Sequence, residues 1–152
     1  MLPRSARRAL LALCACASLT PVTMAADPGS VPEPQAAVRL APCPDRPNCV
    51  CSLSQGRAYV APLAFADAPA AAFARLESVL RRLPRVRIVA QAPAYMRAEA
   101  ASRVFRFVDD LEFALDASAG VIHVRSAARL GYSDFGVNRR RVETIRAHFG
   151  GR

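Results

Sequence analysis

Leu111-Glu112-Phe113-Ala114-Leu115-Asp116, Ala117-Ser118-Ala119-Gly120 and Val121-Ile122-His123-Val124-Arg125-Ser126 read in succession as strand, turn and strand. Apolar residues recur at every second position in both outer runs, the period of a half-buried strand, and a small-residue segment ending in glycine separates them. If the turn closes over Ala117–Gly120, Asp116 faces Val121 and the pairing runs back from there. Leu115 then meets Ile122 and Phe113 meets Val124, all four on one face, while Glu112 falls opposite Arg125 on the other and His123 lies beside Ala114. A single register satisfies an apolar set and a charged set together, which commits the chain to an antiparallel sheet.

Working outward, Arg85 to Gln91, Tyr95 to Ala101 and Arg103 to Val108 are further short strand-like runs, and Ala58 to Phe65 fits a first strand. Between them, Phe73, Leu76, Leu80 and Leu83 recur at helical spacing. Asp67 is placed to cap that helix, Pro69 suits its first turn and Pro84 stops it. Downstream, Ala127 to Val137 reads as a loop with Gly131 and Gly136. A last helix is expected from Asn138 to Phe149, burying Val142, Ile145 and Phe149. The fold class is therefore α+β: a small, mostly antiparallel sheet packed with two helices, entered through a disulfide-strapped N-terminal loop, with no internal repeat.

The N-terminus has a different character. Arg4, Arg7 and Arg8 precede an apolar stretch from Ala9 to Leu19, followed by the small-residue exit Thr23-Met24-Ala25-Ala26. That is the pattern of an export signal, expected over residues 1–25 and removed near Ala25 or Ala26. The apolar stretch is far shorter than the ~20 residues of a membrane span, so no transmembrane helix is expected in the mature form. Leu13-Cys14-Ala15-Cys16 also resembles a lipobox, whose alternative product is a chain lipid-anchored through Cys16. Residues 26–41 form a Pro-rich linker, and 42–149 a single domain. The expected location is the periplasm or the extracellular space. Cys43, Cys49 and Cys51 survive cleavage, and in an oxidising compartment they are disulfide candidates before they are metal ligands. The turn chemistry of Pro44-Asp45-Arg46-Pro47-Asn48 folds Cys43 towards Cys49; Cys51 stands as the rival partner for Cys43. No metal site is expected, because no nearby His or further Cys completes a set of four ligands.

The formal net charge of +9 comes from 21 basic residues, all arginine, against 12 acidic ones. Abundant Ala and Pro accompany the absence of Lys, a compositional habit that needs no phosphate-binding role. No basic run is interleaved with aromatics for stacking on bases, so nucleic acid is not an expected partner. The Gly-rich patterns of dinucleotide and phosphate loops are absent, and Ser133 lacks the flanking glycines of a nucleophile elbow. No cofactor is implied.

Three longer motifs carry a resemblance. They are Cys43-Pro44-Asp45-Arg46-Pro47-Asn48-Cys49-Val50, then Phe107-Val108-Asp109-Asp110-Leu111-Glu112-Phe113, and then Val124-Arg125-Ser126-Ala127-Ala128-Arg129-Leu130-Gly131-Tyr132-Ser133-Asp134-Phe135-Gly136-Val137-Asn138-Arg139, continued by Arg141 to Arg146. Over roughly Leu40 to Phe149 the chain resembles the domain-of-unknown-function family numbered 1499, found in bacteria and plastids. The resemblance implies a small α+β domain and no assigned activity. Two positions depart from the family pattern: Cys51 where Ser is usual, and Ala128 where a small hydroxyl residue is expected.

Charged side chains concentrate around the hairpin. Asp109, Asp110 and Glu112 form an acidic group, and Arg125, Arg129 and Arg139 to Arg141 a basic one at the entry of the last helix. Arginines at a helix N-terminus oppose its macrodipole, so partners are required. One reading is an ion-pair network of Asp109, Asp110, Glu112, Asp134 and Glu143 with those arginines. Another is a site for an anionic small molecule, using Arg125, Ser126, Arg129, Asp134, Asn138, Arg139 and Arg141 with loop N–H groups at the helix start. The expected function is thus a non-catalytic binding or structural module of the cell envelope. Two alternatives are a small hydrolase or metal-assisted enzyme using Asp109, Asp110 or Glu112, and a partner-binding subunit of an envelope complex. Against the enzyme, neighbouring arginines keep carboxylates ionised, and strand alternation sends Asp109 and Asp110 to opposite faces.

Overall fold

The computed structural model describes residues 40–102 and 107–151. The expected export signal, nearly all of the linker and the start of the strand expected at Arg103 lie outside the described residues. In chain order the elements are β1 (Cys49–Cys51), β2 (Leu63–Ala64), α1 (Pro69–Arg82), β3 (Val86–Ala92), β4 (Tyr95–Ala101), β5 (Val108–Asp116), β6 (Val121–Ala128) and α2 (Val137–Phe149). They form one antiparallel sheet in the order β1-β6-β5-β4-β3, with β2 also paired to β6.

The hairpin has the register read from its sequence: Asp116↔Val121, Leu115↔Ile122, Phe113↔Val124 and Glu112↔Arg125. Its turn is held by Asp116, whose carboxylate accepts hydrogen bonds from the Ser118 hydroxyl and the Ala119 N–H at 2.6 and 2.9 Å. Gly120 completes the turn at φ +65°, a conformation that favours a residue without a Cβ.

Alternation divides the sheet into two faces. Val50, Met96, Ala98, Leu111, Phe113, Ile122 and Val124 are buried with Phe73, Leu76 and Leu80 of α1 and Val142, Ile145 and Phe149 of α2. Both helices therefore cover one face. Removing one such side chain, as in Phe113→Ala, costs about 3–5 kcal/mol once the cavity is included. On the opposite face a smaller cluster of Leu40, Cys51 and Ala114 packs with Cys43 and Tyr95. The Cys43–Cys49 disulfide holds the N-terminal strap at this face, and Cys51 is a free, buried thiol. That settles the choice of partner for Cys43: the register Cys49↔Ala127 and Cys51↔Arg125 aims both cysteines at the strap, and Cys49 takes the bond.

Four boundaries differ from the sequence reading. Asp67 does not cap α1. Proline at the first helical position forces an extended conformation on the residue before it, so Ala68 becomes the cap (φ −55°, ψ 134°) and Asp67 instead binds Arg75. Only Leu63 and Ala64 of the expected first strand are strand. The carbonyls of Ala61 and Pro62 accept from the Arg146 guanidinium at 2.6 and 2.7 Å in place of a neighbouring strand. β6 extends to Ala128, because β5 and β1 flank it there. Finally, β5 is one continuous strand from Val108, so no break separates Val108 from Leu111.

Candidate functional site

Asp109 and Asp110 are consecutive, and the pleat sends their carboxylates to opposite faces. Asp109 points towards the helices, where it is buried. It accepts from Arg141 Nη2 at 2.7 Å, and Arg141 Nη1 donates to Asn138 Oδ1 at 2.7 Å and to Ser126 Oγ at 3.3 Å. The Ser126 hydroxyl donates to the same Asn138 oxygen, and Asn138 Nδ2 donates to the Asn48 carbonyl at 3.1 Å. Ser126 and Asn138 are wholly buried. This group joins β5, β6, α2 and the segment entering β1 through satisfied polar contacts.

On the other face Glu112 accepts from Arg125 Nη1 at 2.6 Å, from the Tyr95 hydroxyl at 3.3 Å and from the Ala41 N–H at 3.4 Å. Strap and sheet meet at this carboxylate. Burial, with the Glu112 charge beside it, raises the Tyr95 phenol above its ordinary value. Nearer the end of the sheet, Arg129 forks over both oxygens of Asp110, at 2.9 and 2.7 Å, and reaches Glu99 at 2.6 Å. Its guanidinium holds the Asp110 carboxyl below the usual range. Glu99 is lowered too, by Arg129 first and then Arg87, and the two carboxylates in turn raise Arg129.

The loop from Arg129 to Gly136 is fastened at several points. Asn48 Nδ2 donates to the Gly131 carbonyl at 2.8 Å, and the Asp134 N–H donates to the Pro47 carbonyl at 3.3 Å. The Asp134 carboxylate accepts from the N–H groups of Gly136 and Asn138 at 2.9 and 2.8 Å, so it serves the start of α2. Between this loop, the Cys43–Asn48 turn and the Ser54–Ala58 segment lies an open cleft of about 500 Å³, lined by Arg46, Arg57, Ser133, Asp134 and Arg139 among others. Arg139 Nη2 donates to the Arg57 carbonyl at 2.6 Å, and Arg57 itself pairs with exposed Asp45.

The seven residues expected to form an anion site are therefore distributed over three places. Ser126, Asn138 and Arg141 share the buried group; Arg125 and Arg129 are engaged by carboxylates on the opposite face; Asp134 and Arg139 line the cleft. Asp109, Asp110 and Glu112 each meet an arginine, whereas Glu143 lies apart on the exposed side of α2 and pairs with Arg146. Among the described residues, no three His, Cys, Asp or Glu gather as metal ligands. Sequence reasoning missed Asn48, Glu99, Tyr95, Arg46 and Arg57. Glu99 was within reach, since extending the antiparallel register from β5 to β4 places it beside Asp110. Arg46 and Arg57 reach the cleft through loop geometry that no periodicity encodes.

These features define a small α+β module in which six strands carry two helices on one face and a disulfide-held strap on the other. The chain belongs to the DUF1499 family, proteins of unknown function, whose family model matches residues 39–149. No curated protein matches it. No helix among the described residues is long and apolar enough to cross a membrane.

Proposed function

We propose that this chain is an exported, non-catalytic envelope module that holds an anionic ligand in the cleft at the start of α2. The observation that carries the reading is the unequal use of its arginines. Arg125, Arg129 and Arg141 are each committed to a carboxylate, whereas, among the described residues, Arg46 and Arg139 at the cleft have no carboxylate partner. The one buffering acid on the loop, Asp134, spends its oxygens on backbone N–H groups. A cleft of this volume suits a small molecule, and guanidinium forks suit carboxylate or phosphate oxygens. The disulfide is in keeping with an oxidising compartment.

The test is calorimetric titration of sn-glycerol 3-phosphate into the protein at low ionic strength. Saturable binding, weakened about tenfold by Arg139→Ala, is the expected result for one lost charge-assisted contact. No heat from the wild type, or equal binding by the variant, would overturn the cleft as the site. Export is tested by the intact mass of protein recovered from the host envelope, which the reading places at cleavage near Ala25.

A further inference from the structure

The loop that forms one wall of the cleft also carries an unusual amount of uncovered apolar surface. Leu130, Tyr132 and Phe135 are 68 %, 70 % and 86 % exposed, within six consecutive residues, and Val137 follows at 38 %. Single exposed apolar side chains are commonplace, but a cluster of large ones marks a contact surface. The backbone that presents them is anchored. The Asn48 amide holds the Gly131 carbonyl, Asp134 holds two N–H groups, and Arg140 Nη1 donates to the Phe135 carbonyl at 3.0 Å. Phe135 itself sits at φ +51°, a conformation that bulky residues avoid, with its ring directed into solvent.

The chemistry beside this tip selects its occupant. Arg46, Arg139 and Arg57, the last paired with Asp45, line the cleft together with Ser133, Asp134 and Gly136 of the same loop, on a chain whose arginines outnumber its acidic residues even without Arg4, Arg7 and Arg8 of the expected export signal. Apolar and aromatic side chains on a loop that also walls an arginine-lined cleft match the chemistry of a bilayer surface, where an apolar region adjoins a layer of phosphates. We infer that the Leu130–Phe135 loop docks on an anionic phospholipid bilayer, with Leu130, Tyr132 and Phe135 entering the interface and the cleft arginines taking a lipid phosphate. This inference rests on the anion-binding reading of the cleft and names its ligand.

Co-sedimentation with vesicles of phosphatidylglycerol and phosphatidylcholine in equal parts tests it, with pure phosphatidylcholine vesicles as the second arm. The chain contains no Trp, so Phe135→Trp supplies a lone fluorescent reporter at the tip. The expected results are binding to the anionic vesicles only and a blue shift of the reporter's indole emission on binding. The triple variant Leu130→Ser, Tyr132→Ser, Phe135→Ser should bind vesicles at least about tenfold more weakly, given the transfer free energy of such side chains. It should bind sn-glycerol 3-phosphate unchanged. Binding of the soluble phosphate without vesicle binding would overturn the docking and leave the anion site standing. Equal vesicle binding by the triple variant, no blue shift, or equal binding to neutral vesicles would also overturn it, the first two in favour of adsorption by charge alone. Failure of both the phosphate and the vesicles would overturn both readings.

Discussion

Truncating Arg141 to Ala is the most informative single change to the buried polar group. The Arg141 side chain is 14 % exposed and that of Asp109 only 8 %, so removal of the guanidinium leaves a buried carboxylate with no counter-charge. Asn138 Oδ1 and Ser126 Oγ lose a donor as well, although their mutual hydrogen bond remains. Breaking a buried pair from one side costs about 3–5 kcal/mol. For a domain of this size, with about 4 °C of melting temperature per kcal/mol, the expected fall is roughly 12–20 °C. Replacing both partners by apolar residues of comparable bulk removes the stranded charge. Asp109→Leu with Arg141→Met should therefore recover most of the loss. Urea unfolding followed by circular dichroism reads both variants. A loss below about 1 kcal/mol for Arg141→Ala would refute the argument that the pair is desolvated. A double variant no more stable than the single would refute the argument that the stranded carboxylate is the cause.

Three further outcomes are expected. Glu112→Ala strands the largely buried Arg125 and frees the strap at Ala41, so limited proteolysis should cut the Leu40–Cys43 segment faster than in the wild type. Reducing the Cys43–Cys49 bond should cost about 2 kcal/mol, the value for a very short closed loop, measured as a lower urea midpoint in the presence of reductant. Acid should reveal the Arg129 fork. Because Arg129 lowers the folded-state values of Asp110 and Glu99, its contribution is present above the unfolded carboxylate range, at about pH 4, and is lost as pH falls through the lowered values. The melting-temperature gap between wild type and Arg129→Ala should thus be constant at neutral pH and close on acidification below pH ~4.

The hairpin was legible because its evidence is local: alternation, one turn and pairs that satisfy two faces at once. Both helices were legible from the spacing of Phe73, Leu76 and Leu80 and of Val142, Ile145 and Phe149. The misreadings arose where one residue's covalent geometry outweighed a neighbour's chemistry, as Pro69 did over Asp67. They also arose where a distant side chain replaced a strand partner, as Arg146 did at Ala61 and Pro62. Alternation also foretold that Asp109 and Asp110 would serve different faces. It could not tell which arginine each would meet, because that depends on how α2 and the end of β6 return to β5. The cleft was least legible, since its walls bring the Cys43–Ala58 region against a loop far downstream in the chain.

The neighbouring carboxylates of β5 have one more consequence. Asp109 answers a cation beneath the helices, and Asp110 and Glu112 answer cations on the strap side. A one-residue slip that put Val108 in the place of Asp109 would exchange every one of these loyalties. Arg141 would confront an apolar side chain, and two acids would be driven into the helix-covered layer. An all-apolar strand tolerates such a slip at the cost of imperfect packing. Here the slip also strands charges on both sides of the sheet, so the three acids act as a checksum on the strand's alignment.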